Sequence, residues 1–145
     1  MPRLVIGLCL IVVAIGCGPK QPRVAKVSGR VTLDGKPLPK ASVTFAPMTT
    51  KGNPNPGPTA QGMTDDEGRY QVSIDVSTPG AVVGKCRIYI STRLSDPAID
   101  ERDAGGPIRS LPRDKVPAKY NQATELEFDV PPAGTDQANF DLTSN

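Results

Sequence analysis

Alternating apolar and polar residues between positions 27 and 76 predict β-strands. Residues 27–33, 41–45 and 70–76 each place an apolar residue at every second position, which is the period of a strand with one buried face. Asp34-Gly35 follows the first run and predicts a tight turn, because Gly tolerates positive φ and Asp can bond its own backbone. The first two runs are therefore expected to form a hairpin.

The pattern continues to the C-terminus. Residues 81–94 predict a long strand, with Ile88 and Ile90 on one side and Lys85 and Arg87 on the other. Residues 125–130 and 138–143 alternate on either side of a Pro- and Gly-rich turn and predict a closing hairpin. With a short strand near residues 61–64, the strands number seven. We therefore predict an all-β fold, a seven-stranded antiparallel β-sandwich of transthyretin-like or Ig-like type.

Strand parity also predicts the hydrophobic core. Because a shift of one residue would turn a whole strand over, each strand is a separate test. The residues expected inside are Val27, Val31, Leu33, Val43, Phe45, Tyr70, Val72, Ile74, Cys86, Ile88, Ile90, Leu126, Phe128, Phe140 and Leu142.

The same stretch carries a family resemblance. Its turn glycines and inward valines stand at Gly29-x-Val31, Gly35-Lys36-Pro37-Leu38, Ala41-x-Val43, Thr64-Asp65 and Gly68-x-Tyr70. This combination resembles the carboxypeptidase regulatory-like domain, a sandwich of the transthyretin-like (prealbumin-like) class. The resemblance implies a non-catalytic module of secreted or surface proteins. Residues 116–121 and the last two strands look like those of small bacterial lipoproteins that carry this domain alone.

The N-terminus has the features of a lipoprotein leader. Residues 4–15 are uncharged and apolar, too short to span a bilayer but suited to the core of a signal peptide, here expected to be a helix. Ala14-Ile15-Gly16-Cys17 resembles a lipobox, in which the cysteine receives a diacylglycerol thioether and signal peptidase II cuts before it. Ala14 stands where Leu is usual. The alternative is an ordinary secretory signal that leaves Cys17 as an unmodified thiol.

These features predict both the domain organisation and the location of the protein. Residues 1–16 would be the lipoprotein signal peptide, 17–25 the lipidated cysteine and its tether, and 26–145 the carboxypeptidase regulatory-like domain. Two or three acyl chains hold a protein stably in a bilayer. Gly18 follows the cysteine, where Asp would retain the protein in the inner membrane under the enterobacterial sorting rule. An exported protein anchored in the outer membrane is therefore favoured over one in the inner membrane, with its face left open.

The composition argues against nucleic-acid binding and against sites built on histidine. Lys and Arg exceed Asp and Glu by two, and aromatic residues are few, so there is no basic stripe with stacking rings for nucleic acid. The chain has no His, the commonest general base and zinc ligand. Of the three cysteines, Cys9 lies in the leader and Cys17 is the lipid site. Cys86 shares parity with Ile88 and is expected to be a small buried hydrophobe, with a reactive thiol as the alternative.

Three acidic groups are candidate sites. They lie at residues 65–67, 100–103 and 125–129, in predicted turns, in a loop and on an outward strand face, where carboxylates are normally solvated. A calcium site in the turn at 65–67 is the alternative, but the twelve-residue calcium loop is absent. No motif of an enzyme site is present. We predict no enzyme activity, no catalytic residue, no metal and no cofactor.

The predicted function is a lipid-anchored, non-catalytic module of the cell envelope with a structural or protein-binding role. Its partners would be the membrane, through the lipid on Cys17, and an envelope protein; any small-molecule ligand is left open. The alternative is a surface protein that binds peptide or carbohydrate through its loops, with or without calcium. Counting strand reversals places the turns at 34–39 and 65–69 and the loop 95–116 at one end. The tether and the turns at 48–59, 78–80 and 131–136 fall at the other, so partner contacts are expected at the first end. The alternative is that the loop 95–116 is merely flexible.

Overall fold

The computed structural model describes residues 22–50, 54–93 and 113–145, which form an all-β fold. The predicted signal-peptide helix and Cys17 lie outside these ranges. A single turn of 3-10 helix, Ala118–Tyr120, precedes the last two strands. Within the described ranges no helix has the length and apolar character needed to cross a membrane. The strands are β1 Val24–Ala25, β2 Ser28–Leu33, β3 Lys36–Pro37, β4 Ser42–Pro47, β5 Ala60–Met63, β6 Arg69–Gln71, β7 Ser73–Asp75, β8 Thr78–Pro79, β9 Ala81–Val82, β10 Gly84–Ser91, β11 Glu127–Val130 and β12 Phe140–Leu142.

The first sheet has six antiparallel strands in the order β11-β10-β4-β5-β7-β8. Its longest strand, β10, pairs with β4 on one side and with the edge strand β11 on the other. Ile88 lies opposite Phe45, and both side chains are fully buried. This sheet confirms the predicted strands at 41–45, 61–64 and 125–130.

The second sheet has the order β12-β2-β3, and β6 also pairs with β2. β12 runs parallel to β2, with Phe140 opposite Val31. The predicted closing hairpin is therefore wrong, because β11 and β12 belong to different sheets. The chain changes sheets through a turn at Gly134, where φ is +79° and an added Cβ would lie 2.7 Å from the Lys26 carbonyl oxygen. The alternation correctly predicts that both runs are strands, but alternation does not identify the partner of a strand.

The predicted hairpin of β2 with residues 41–45 is also wrong. Asp34 and Gly35 do form a tight turn, with φ of +51° and +76°, but it joins β2 to the two-residue strand β3. The chain then crosses to the first sheet. Thr64 fixes this crossing, since its hydroxyl donates to the Leu38 carbonyl and accepts from the Ala41 amide. β4 therefore faces β2 across the core instead of lying beside it.

Two further predicted strands divide where the chain passes between sheets. The run at 70–76 becomes β6 in the second sheet and β7 in the first, with the buried Val72 between them. Val76 is fully exposed in the turn that follows β7, although the alternation placed it with the buried residues. The run at 81–94 divides at Gly84, where φ is +114°, into β9 and β10. Such bends are how strands form the corners of a sandwich.

The core lies between the two sheets. Phe45 is at its centre and packs its ring against Tyr70, Phe128 and Phe140 at centroid distances of 5.9–6.4 Å. Most of the predicted core is buried. The exceptions, which are half-buried against the core, are Leu33, Ile74, Leu126 and Phe128. Buried residues absent from the prediction are Ala25, Leu38, Ala41, Ala60, Ala81, Val82, Val116, Val130 and Ala138.

Ala25 is buried because β1 pairs with β9. The folded part of the chain therefore begins inside the segment that the sequence assigns to the tether. The pairing of β1 with β9 therefore fixes the position of the chain from Val24 onward.

Candidate binding site at the distal end

The turns of the sandwich lie at two ends, which we name by their relation to the N-terminal segment. At the distal end, the amide of Val31 donates to the Gly68 carbonyl and the amide of Leu38 donates to the Val31 carbonyl. These bonds place the turn at 65–69 beside the hairpin at 34–39. The end of β10 joins them, because Ser91 pairs with Ser42 at the start of β4.

The proximal end contains the point where the chain enters the fold. The amide of Val83 donates to the Arg23 carbonyl, and the amide of Thr135 donates to the Lys26 carbonyl. Met48, just after β4, donates its amide to Lys85 at the same end. The predicted assignment of the turns to two ends is thus confirmed for the described residues. Of the loop at 95–116, the structure describes residues 113–116.

Asp114 is the best-connected carboxylate of the distal end. Its oxygens accept hydrogen bonds from the Ser91 hydroxyl at 2.5 Å, the Thr92 amide at 2.9 Å and the Thr92 hydroxyl at 2.8 Å. The Val116 amide and the Asn121 side-chain amide also donate, each at 3.0 Å. Burial would raise the pKa of Asp114, but these hydrogen bonds together lower it. An ionised Asp114 therefore holds the segment after the loop against the end of β10.

A pocket of about 230 Å³ opens beside this network. Arg93 and Arg113 line it together with Asn121 and Gln122. Asp114 also lines the pocket, but its oxygens are engaged by five donors. The Nδ2 group of Asn121 already donates to Asp114 and to the Val116 carbonyl. The two guanidinium groups offer hydrogen-bond donors and positive charge, so the pocket suits an acidic or carbonyl-bearing partner.

Two residues of the candidate acidic groups, Asp65 and Glu127, have structural partners. Oδ1 of Asp65 accepts from the amides of Glu67 and Arg69, which closes its turn. Glu127 lies 3.8 Å from Lys85 and 3.5 Å from Arg87. The group at 100–103 lies outside the described residues. In the three described ranges, no cluster of three or more His, Cys, Asp or Glu side chains is arranged to hold a metal ion.

Cys86 is fully buried in the first sheet, as its parity predicted. Burial, helped by the nearby charge of Asp129, raises the pKa of its thiol to about 11. A thiol that is both inaccessible and protonated at neutral pH is a poor nucleophile. The predicted role of Cys86 as a small core residue is confirmed.

The sequence did not single out Asp114, Arg93 or Arg113. All three lie in or beside the loop at 95–116, whose charges have no periodicity. The one available signal was position, since the loop's last residues are followed by the buried Val116 and must dock on the sandwich.

Comparison with family models, curated proteins and solved structures finds no match for this chain. The resemblance to the carboxypeptidase regulatory-like domain stays a prediction.

Proposed function

We propose that this protein is a lipid-anchored, non-catalytic β-sandwich module of the cell envelope that presents its distal end to a protein partner. The observation that carries the proposal is the position of the chain entry. Arg23 and β1 are bonded into the proximal end, and the pocket of Arg93 and Arg113 lies at the opposite end. An anchor just before Arg23 would therefore direct the pocket away from the bilayer.

The length of the tether supports this orientation. Six steps of chain lead from Cys17 to Arg23, which reach about 20 Å when fully extended. If Cys17 is lipidated, the proximal end is held within that distance of the membrane surface. The domain then needs no membrane contact of its own for attachment, since the acyl chains supply it.

The described side chains support binding over catalysis. Cys86 is buried and protonated, and the carboxylates of Asp65 and Asp114 accept hydrogen bonds that hold backbone segments together. General acid-base catalysis needs a titratable group that can exchange a proton with a bound substrate. The distal pocket instead offers the guanidinium donors of Arg93 and Arg113, which favour recognition of an acidic segment of a partner.

Replacing Cys17 with Ser tests the anchor. The parent chain is expected to incorporate radiolabelled palmitate and to sediment with membranes, whereas Cys17→Ser should incorporate no label and accumulate in the unprocessed form or leave the membrane. Cys9→Ser is the matched control, because Cys9 lies inside the leader. If Cys17→Ser is labelled and sediments like the parent, the lipoprotein proposal is wrong.

Removing residues 98–108 tests the partner role. The shortened protein keeps Arg93, Asp114 and the whole sandwich, so its fold should be intact by circular dichroism. Recovery of envelope proteins after crosslinking and detergent extraction should fall relative to the parent. A charge change at the proximal end, Lys26→Gln, should leave recovery unchanged. Adding Arg93→Gln and Arg113→Gln to the deletion also removes the donors of the pocket. Parent-like recovery by that combined variant would remove the distal-end proposal without affecting the anchor.

A further inference from the structure

Two arginines lie directly opposite each other on the outer face of the second sheet. Arg30 of β2 pairs with Arg69 of β6 in antiparallel register, and both residues are exposed. Side chains opposite each other in an antiparallel pair are close neighbours, and like charges there destabilise the sheet. Packing does not explain why two arginines lie opposite each other here.

The guanidinium of Arg30 is held in place. Its Nε donates to the carbonyl of Glu67 at 2.9 Å, which leaves both Nη groups available to a ligand. The backbone amide of Arg30 donates to Oδ1 of Asn139 at 2.9 Å. Because this bond can only be accepted by the carbonyl oxygen, it fixes the orientation of the Asn139 side chain and leaves its Nδ2 as a donor. The strand pairing therefore places the guanidinium donors of Arg30 beside the Nδ2 donor of Asn139.

Among the described residues, the pocket beside this pair contains one carboxylate, that of Asp136, and it makes no ion pair with either arginine. Within the described ranges the ion pairs closer than 4.0 Å are those of Lys85 and Arg87 with Glu127, on the other sheet. Oδ1 of Asp136 accepts from the Gln137 side chain. A pocket of about 280 Å³ opens at this place, lined by Ser28, Arg30, Arg69, Asp136, Gln137 and Asn139. Two positive charges thus share a pocket without an ion-pair partner.

We propose that Arg30, Arg69 and Asn139 form a binding site for a phosphate group. Guanidinium groups match the oxygens of phosphate in a bidentate geometry. A phosphate monoester carries a charge of about −1.5 to −2 at neutral pH and so balances two arginines, which one carboxylate does not. The site lies on the side of the sandwich, apart from the distal pocket, and goes beyond the proposed partner role.

Calorimetric titration of the full-length protein in detergent with inorganic phosphate, at low ionic strength, tests the site. The parent should bind, whereas Arg69→Gln should bind about tenfold more weakly, as expected for loss of a charge-assisted hydrogen bond. Asn139→Asp is the sharper variant, because it keeps an acceptor for the Arg30 amide and replaces the Nδ2 donor with a negative oxygen. It should abolish binding while leaving thermal unfolding in phosphate-free buffer close to that of the parent.

Arg87→Gln is the matched control. It removes the same charge from a half-buried strand residue that already contacts Glu127, and phosphate binding should be unchanged. Equal weakening by Arg87→Gln and Arg69→Gln would show only general attraction to a cationic protein and overturn the proposal. Parent-like binding by Asn139→Asp would overturn it as well. Loss of the Cys17 anchor would leave phosphate binding intact, so the two proposals fail separately.

The phosphate could be borne by a soluble molecule or by a lipid. Glycerol 3-phosphate represents a soluble monoester, and phosphatidic acid vesicles represent a monoester headgroup. A chain without residues 1–17 is used for both, so that neither the leader nor a lipid on Cys17 inserts into the vesicles. A soluble source predicts that glycerol 3-phosphate binds and that the vesicles do not. A headgroup source predicts vesicle binding that Asn139→Asp removes. Failure of inorganic phosphate, glycerol 3-phosphate and vesicles alike would overturn the site.

Discussion

At the scale of single residues, Phe45 contributes most to the packing of this fold. Its fully buried ring contacts three other aromatic rings that come from both sheets. Tyr70 adds a hydrogen bond from its hydroxyl to the carbonyl of Ala138, and burial raises its pKa well above the usual value. The contact between the sheets thus depends on a small aromatic cluster.

Phe45→Ala should lower the free energy of unfolding by about 3–5 kcal/mol, since it removes a fully buried ring and leaves a cavity. Phe128→Ala is the matched variant. Phe128 is half-buried, so its loss should cost clearly less, although strand parity alone predicted an equal cost for both. Urea unfolding measures the two changes. Equal costs would contradict the difference in burial.

Cys86 should resist thiol reagents in the native protein at pH 8 and react once the protein is unfolded. Its pKa is raised from 9.0 to about 11 in the folded state. The unfolded thiol therefore loses its proton first, and stability should fall as the pH rises from about 9 to 11. Cys86→Ala removes this contribution, so its stability should depend less steeply on pH over the same interval. Rapid native labelling at pH 8 would contradict the burial.

At the scale of elements, turns decide where the strands go. Gly35 and Gly68 have nearly the same φ, +76° and +75°. An added Cβ at Gly35 would meet nothing within 4 Å, whereas at Gly68 it would lie 2.4 Å from the Val31 carbonyl oxygen. A substitution at Gly35 therefore tests backbone strain alone, whereas a substitution at Gly68 tests backbone strain together with steric overlap.

Gly35→Ala should cost about 1–2 kcal/mol, the penalty of a left-handed conformation for a residue with a Cβ. Gly68→Ala adds a clash with a backbone atom that the sheet holds in place, so its cost should be distinctly larger. Thermal and urea unfolding of both variants test this. Similar costs would show that the turn at 65–69 can move away from β2.

Asp114→Asn should loosen the segment after the loop. The amide of Asn cannot accept all five hydrogen bonds that the carboxylate accepts, and we expect a loss of about 1–2 kcal/mol for this partly exposed group. Asp66→Asn, in an exposed turn, is the matched control and should be neutral. Faster hydrogen exchange at Val116 and Thr92 would report the local opening.

The same network gives a pH dependence. The folded pKa of Asp114 lies below its ordinary value, so its contribution to stability is present above the unfolded pKa and is lost as the pH falls through the folded pKa. The parent should therefore lose more stability on acidification than Asp114→Asn does. Parallel curves would show that the charge of Asp114 contributes nothing.

At the scale of the whole molecule, the anchor proposed at Cys17 predicts that the two ends of the sandwich lie at different heights above the membrane. β2 spans six residues, or about 20 Å at 3.3 Å per residue. A fluorophore on Ala133→Cys, in a proximal turn, should be quenched by lipids with spin-labelled headgroups. The same fluorophore on Lys36→Cys, in the distal hairpin, should be quenched much less. Equal quenching would mean that the domain lies on its side.

Much of the secondary structure follows from the sequence itself. Alternation at Val31, Val43 and Ile88 marks strands and their buried faces, because each residue's side is set by the local two-residue period. The turn at Asp34-Gly35 was also predictable, since positive φ is a local requirement. The sequence of the leader and Cys17 carries the proposed anchoring, which the described residues do not reach.

The pairing of these strands was decided by the tertiary structure. β12 lies parallel to β2, and β4 lies across the core from it, because Gly134 and Thr64 fix crossings that no period reveals. The opposed Arg30 and Arg69 are 39 residues apart in the chain, and their meeting depends on the register of β2 with β6. Alternation records which side of its own strand a residue occupies, whereas neighbours across strands depend on packing that only the folded chain completes.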